Sequence, residues 1–257
     1  MTAGCAYYTD SRLDPVIAQA CRNQLQRAAQ GLPIASVSLA ATVGNGSPDV
    51  RIDWQMPVWS EPGVVSNVGL PIARGYLAMF TQILAGLEAL DTDVAFLVEH
   101  DVLYHPSAFA FTPPRKDVYY YNQNVFKLRA SDGHVLHYPC SQTSGLCADR
   151  QLLVEHYRKR VAIVQERGFT RAMGFEPGTH NRPERVDDFG SATWMSEYPN
   201  VDIRHDTNLT ESRWRKEQFR NQQYTAGWTE SDRVPGWGVT AGRFHAFLAE
   251  LQREVHA

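Results

Sequence analysis

The stretch VAFLVEHDVLYHP, residues 94–106, decides the fold. Val94 to Val98 form an unbroken apolar run of the length of a strand buried on both faces, which is characteristic of parallel sheets. The run ends abruptly in Glu99, His100 and Asp101. In open α/β sheets, ligands bind outside the carboxyl ends of the strands, so acids at such an end are candidates for a site. Strand alternation predicts Glu99 and Asp101 on one side of the backbone and His100 on the other. Two carboxylates aimed at one point repel unless one is protonated or a cation lies between them. Hard divalent cations such as Mg²⁺ or Mn²⁺ take oxygen ligands and share their remaining positions with phosphates and water. The bland alternative is a turn-capping Asp101 beside a surface ion pair of Glu99.

Upstream, the order of elements fits a parallel sheet covered by helices. CAYYTDSRLDP reads as a tyrosine-rich strand with a polar turn over Thr9 to Asp14. Asp14 is placed as an N-cap and Pro15 as the first helical residue. A helix follows to Gly31, then a strand in PIASVSLA. Thr42 to Gly63 reads as loop, and IARGYLAMFTQILAGLEAL as a second helix with Arg74 at its start. Downstream, VYYYNQNVFKLRASDGHVLHY reads as strands with a hairpin turn at Asp132-Gly133. A helix runs from near Asp149 to Gly168, and another lies in AGRFHAFLAELQREVH. Between Phe169 and Gly238 periodicity is weak, except for a short strand at Val201 to Ile203. The sequence shows no repeat or linker. We therefore expect a single domain over 1–257, with a Rossmann-like mixed sheet flanked by helices.

Composition excludes some classes. Charged residues make up 21% and hydrophobic residues 43%, enough for a packed core and unlike a disordered chain. The net charge of −3 does not advertise a polyanion partner. Cys5, Cys21, Cys140 and Cys147 form no C-x-x-C pair, which argues against a disulfide framework or a cysteine zinc site. The N-terminal residues have no signal-peptide pattern, and no run is long enough to span a bilayer. The expectation is a cytoplasmic protein without membrane association.

The strand–helix–strand order and the strand ending in acid-x-acid resemble glycosyltransferases of the A-type fold. In that family the acid-x-acid motif holds the metal that bridges the diphosphate of a nucleotide sugar. The resemblance implies Asp101 as a direct metal ligand, with Mn²⁺ or Mg²⁺ as the ion and a UDP-sugar as the leading donor. Glu99, standing where Asp is commoner, would coordinate through water or contact the ribose. The family often adds a late histidine, and NVDIRHDTNLT offers His205 as that ligand. His105, His134, His137 and His180 compete with it. Thr9, Asp10 and Ser11 would receive base and ribose. Arg74 would face the diphosphate or be an ordinary surface arginine, and Gln82 is a weaker candidate for the same crevice.

An inverting transfer calls for a carboxylate to deprotonate the acceptor hydroxyl, while a retaining one usually lacks that residue. Glu176, in the Gly/Pro setting MGFEPGTH, is the first candidate, with Asp188 and Asp187 of RVDDFG as rivals. ESRWRKEQFRNQQYTAGW interleaves Arg213, Arg215, Lys216 and Arg220 with Trp214, Phe219, Tyr224 and Trp228. Arg213, Trp214 and Arg215 are the candidate acceptor contacts, because cations among aromatics suit a nucleic-acid backbone and an unstacked base. They suit sugars nearly as well, and a solvated helix face is the plain alternative. The chain also resembles small phage and bacterial glycosyltransferases, some of which modify hydroxymethylated pyrimidines. This makes double-stranded phage DNA the leading acceptor, with a cell-surface polysaccharide as the alternative. Outside that class stand a sugar-1-phosphate nucleotidyltransferase, a metal-dependent hydrolase and a non-catalytic nucleic-acid or glycan-binding module.

Overall fold

The computed structural model describes residues 1–39, 59 and 63–253. Most of the Thr42–Gly63 segment read as loop lies outside these residues. Strand β1 (Ala3–Thr9) leads into helix α1 (Pro15–Ala29). Asp14 caps that helix by accepting from the backbone N–H groups of Val16 and Ile17. Next come β2 (Ile34–Leu39), β3 (Val64–Leu70), α2 (Tyr76–Ala89), β4 (Val94–Glu99) and β5 (Val102–Leu103). The second half adds β6 (Val118–Asn122), β7 (Val125–Arg129), β8 (Val135–His137), β9 (Leu146–Asp149) and α3 (Arg150–Arg167). It closes with β10 (Gly190–Trp194), β11 (Asn200–Arg204), β12 (Thr229–Ser231), β13 (Arg233–Val234), β14 (Gly238–Val239) and α4 (Phe244–Arg253).

The main sheet has seven strands in the order β10-β6-β9-β4-β1-β2-β3. β3, β2, β1 and β4 run parallel, β9 runs against β4 and β6, and β10 is parallel to β6. The expected mixed α/β sheet flanked by helices is therefore present. Tyr8, Ala6 and Leu97 pack towards α2 and α3 on one face, while Cys5, Tyr7 and Val98 pack with Leu25 of α1 on the other. The alternation along β1 and β4 creates these two apolar layers.

A smaller sheet, β12-β8-β7-β11-β5, stands beside the first. The chain crosses between sheets at Asn122–Val125, so the tyrosine-rich run and the VFKLR run serve different layers. Its core combines Leu103, Leu128, Val201 and Ile203 with Ile17 and Cys21 of α1 and with Phe247 and Leu248 of α4. Residues from 1–130 and from 131–257 share this core, Ile17, Leu103 and Leu128 packing with Val201, Ile203 and Phe247. β9 comes from the second half and sits inside the main sheet, between β6 and β4.

The structure adds strands that the pattern did not announce. β3 follows a run with no clear period, and β9, β10 and β12 are too short to carry one. The second helix begins at Tyr76, not Ile72, because Gly75 adopts φ 158° immediately before it. Arg74 therefore lies ahead of the helix in an irregular bend.

Candidate metal and donor site

Side by side in the main sheet, β1 and β4 place Tyr8 opposite Glu99. The Tyr8 hydroxyl donates a hydrogen bond to Glu99 Oε1. Burial and the nearby Asp101 charge push the Glu99 carboxyl up, against the hydrogen bond from Tyr8. Strand geometry ends at Glu99, and His100-Asp101 form a turn. The expected alternation, with His100 pointing away from Asp101, is therefore incorrect. One donor atom each from His100, Asp101 and His205 lie within 4.8 Å of one another. Glu99 instead serves Tyr8 and is not part of that cluster.

His205 reaches Asp101 because β11 lies antiparallel to β5, with Asp202 paired to Val102. The Ile203 N–H donates to the Asp101 carbonyl at 2.8 Å, which locks the two strand ends together. His205 Nε2 stands 3.3 Å from Asp101 Oδ2. The Asn208 amide donates to Asp101 Oδ2 at 2.7 Å and lies 3.2 Å from His205 Nε2. Burial opposes charge on Asp101, but His100, His205 and Arg204 outweigh it and hold the carboxyl below its ordinary range. Asp101 Oδ1 is buried without a hydrogen-bond partner among the described residues. An ionised carboxylate with an unused buried oxygen is a natural cation ligand.

The donor-side candidates surround this cluster. Arg74 donates to Asp10 Oδ2 at 2.6 Å and to the Thr207 carbonyl at 2.6 Å, tying the end of β1 to the loop that carries His205. His100 Nε2 is 3.9 Å from Asp10 Oδ1. Thr9 Oγ1 accepts from the Ser11 N–H, and Ser11 has φ 60°. Thr9, Asp10 and Ser11 thus form the tight turn at the carboxyl end of β1. Gln82 does not face an open crevice, since its amide is spent on the carbonyls of Thr9 and Val37.

Glu176 lies in a loop pinned from several sides. Gly174 and Gly178 have φ 68° and 72°, and a Cβ on Gly178 would stand 2.8 Å from Tyr119 Cδ2. Tyr121 Oη donates to the Pro177 carbonyl at 2.7 Å, and Arg160 to the Phe175 carbonyl at 2.7 Å. Burial raises the Glu176 carboxyl above its ordinary value, with Arg160 partly opposing. Burial also raises the Tyr157 hydroxyl, and the charges of both Glu176 and Glu99 add to it.

The RVDDFG acids behave differently. Asp188 is fully exposed and lies 3.8 Å from Arg185. Asp187 is partly buried and accepts from Tyr119 Oη at 2.8 Å and His156 Nδ1 at 2.5 Å. Neither joins the Asp101 cluster. Among the competing histidines, His105 contacts Ser107, His134 faces Glu230, His137 contacts the Gln123 carbonyl, and His180 contacts the Met173 carbonyl.

Arg213, Trp214 and Arg215 lie on irregular chain, not on a helix face. Arg213 sits over Phe219, and Arg129 over Trp214 at 5.0 Å. Arg129, Trp214, Arg215, Glu217 and Gln218 line an open pocket of about 690 Å³. Arg129 ends β7 and pairs with Arg204 of β11, so this pocket is one strand over from the His205 loop.

Sequence reasoning missed His100, Asn208 and Arg204. Arg204 donates to the Thr210 carbonyl and Ser212 Oγ, shaping the loop behind His205, and lies 3.6 Å from Asp202. The signal was present in DIRHDTN, where charged residues alternate along a short strand, but their target lay on another strand. No protein-family model matches the chain, and a search of curated proteins finds no match. No helix among the described residues is long and apolar enough to cross a membrane.

Proposed function

We propose that this protein is a metal-dependent glycosyltransferase of the A-type fold. It would move a sugar from a nucleoside diphosphate sugar, a UDP-sugar first, to an acceptor hydroxyl. One observation carries the reading. Asp101 and His205, distant in sequence, meet at the carboxyl edge of a largely parallel sheet, and the second Asp101 carboxylate oxygen is buried without a hydrogen-bond partner among the described residues.

Asp101 and His205 would hold the divalent cation, which would supply charge neutralisation for a departing nucleoside diphosphate. Thr9, Asp10 and Ser11 receive the base and ribose. Arg74 spans Asp10 and Thr207 and presents its guanidinium to the diphosphate. Tyr8 orients Glu99 beside the ribose. Glu176 takes the acceptor proton, because its enclosed carboxyl binds protons more tightly than a solvated one. Asp188 has no part in this arrangement.

The Trp214 pocket supports an acceptor with stacking and anionic groups, and hydroxymethylpyrimidine DNA is the leading candidate. A cytoplasmic setting in an infected host cell accords with that acceptor. The test is thermal stability with Mn²⁺ and a panel of nucleoside diphosphates, for wild type and Asp101→Ala. A metal-dependent rise with one nucleotide, lost in the variant, supports the reading and names the donor for transfer assays on modified DNA and on polysaccharide. No rise with any nucleotide, in a protein that still binds DNA or glycan, favours a non-catalytic binding module.

A further inference from the structure

The acid-x-acid reading assigns the cation to oxygen ligands and one late histidine, and leaves the middle residue of the triplet without a role. The turn after β4 removes the reason for that. With strand alternation ended, His100 shares one small volume with Asp101 and His205, a donor atom from each lying within 4.8 Å of the others. These residues also carry two buried atoms without hydrogen-bond partners among the described residues, Asp101 Oδ1 and His100 Nδ1. Asp101 is 5% exposed, so its unused oxygen has no access to bulk water to compensate it.

The surrounding bonds leave Asp101 Oδ1 and His100 Nδ1 unengaged, while His205 Nε2 faces Asp101 Oδ2 at 3.3 Å and the Asn208 amide at 3.2 Å. Asn208 occupies Asp101 Oδ2 and leaves Oδ1 unengaged. His205 Nδ1 lies 2.9 Å from Thr207 Oγ1. With the threonine oxygen accepting, the ring proton resides on Nδ1 and the Nε2 lone pair faces Asp101, as a metal-binding imidazole requires. Arg204 and Asn208 hold the loop in this position without contributing donors of their own to it.

We propose that His100 is a third protein ligand of the cation. The site is then a two-histidine, one-carboxylate centre that binds Mn²⁺-type transition ions before any nucleotide arrives and discriminates against Mg²⁺. This deepens the glycosyltransferase reading and rests on it for its biological use, but the metal site is testable alone. Two imidazoles favour borderline ions over hard ones, and a two-histidine, one-carboxylate face leaves the other coordination positions open to oxygen ligands. A site built from Asp101 and water alone would accept Mg²⁺ as readily as Mn²⁺.

The experiment is titration of the nucleotide-free protein with Mn²⁺, Co²⁺ and Mg²⁺ by calorimetry. It is paired with pulsed electron paramagnetic resonance of bound Mn²⁺, which counts directly coordinated imidazole nitrogens. Wild type is expected to show two such nitrogens and to prefer Mn²⁺ over Mg²⁺ by at least about 100-fold. His100→Ala and His205→Ala are each expected to keep one nitrogen and lose about 10- to 100-fold in Mn²⁺ affinity. His100→Gln is the second variant should alanine disturb the turn, and circular dichroism checks the fold of all three.

A wild type without nucleotide-free Mn²⁺ binding overturns the proposal. So do His100 variants with unchanged affinity and nitrogen count. If the second result accompanies a persistent nucleotide-dependent stabilisation, the third ligand is wrong and the donor site stands. If two nitrogens are found but no nucleoside diphosphate tightens metal binding, the centre is real and the glycosyltransferase reading fails.

Discussion

Two aspartate–histidine pairs in this molecule have opposite characters. His156 of α3 and Asp187 lie 2.5 Å apart, with side-chain exposures of 2% and 7%. Asp187 Oδ2 accepts from His156 and Tyr119, and Oδ1 accepts from the Phe189 N–H, so both carboxylate oxygens are engaged. His205 and Asp101 are farther apart, at 3.3 Å, and similarly enclosed, at 11% and 7%. There one carboxylate oxygen remains unused and a second histidine stands close by. Burial is nearly the same in the two pairs. What differs is whether the carboxylate's hydrogen-bonding capacity has been consumed by the fold. The first pair fastens the 170–189 loop to α3, while the second leaves one buried carboxylate oxygen unpaired among the described residues.

The largest expected effect breaks the second pair. Asp101→Ala should abolish the Mn²⁺-dependent rise in melting temperature and reduce sugar transfer by more than about 100-fold, because it removes the one anionic ligand. A variant that retains the metal response would move the site elsewhere.

Glu176→Gln comes next, with an expected loss of about 100-fold or more in transfer and intact Mn²⁺ and nucleotide binding. The sign of its pH dependence follows from the raised carboxyl value. Wild-type activity should fall as pH drops through that value, where Glu176 becomes protonated, and the variant should lack this limb. A pH–rate profile of both proteins is the check.

The first pair predicts a stability effect without a metal effect. Burial depresses His156 to about 4, below its ordinary 6.5, although Asp187 pulls the other way. At neutral pH the imidazole is neutral and donates its Nδ1–H to Asp187. Between the two values the unfolded chain takes up a proton that the folded chain refuses, so stability is full above pH 6.5 and declines down to about 4. The decline amounts to about 3 kcal/mol from this residue. His156→Gln should flatten the limb in denaturant titrations, cost about 1–3 kcal/mol at pH 7 from the disturbed hydrogen bonding, and leave Mn²⁺ binding unchanged. A changed metal response would show that the two pairs are coupled.

Smaller effects are expected at the edges. Trp214→Ala should weaken acceptor binding by about 1–3 kcal/mol if a base stacks there, with donor binding unaffected. Arg74→Ala should weaken nucleotide binding while changing folding stability by no more than about 1 kcal/mol, since its pair with Asp10 is partly solvent-exposed. Equilibrium binding and unfolding measurements separate these contributions.

Much of the scaffold was legible from local pattern. Asp14 and Pro15 announce the start of α1, Asp149 caps α3, and Asp132-Gly133 turns the β7–β8 hairpin. These signals are local because a helix cap or tight turn is satisfied within a few residues. The apolar run at 94–98 likewise announces a strand buried on both faces, and the acids after it mark its exposed end. Asp101 and His205 were both legible as candidates for the same reason: polar residues follow directly on short apolar strands.

Tertiary structure decided which of those candidates meet. Strand alternation sent His100 away from Asp101, but pairing of β5 with β11 and the turn at residues 100–101 brought His100, Asp101 and His205 together. Equally, Asp187 and Asp188 are adjacent and chemically identical, yet one is consumed by Tyr119 and His156 and the other is bare to solvent. Sequence spacing carries no record of which strand will lie alongside another, because that choice is made by the shared burial of Leu103, Val201 and Ile203 in a core assembled from both halves of the chain. The sequence alone determined which chemical groups the sheet edge could offer. Packing determined which of their lone pairs remained free.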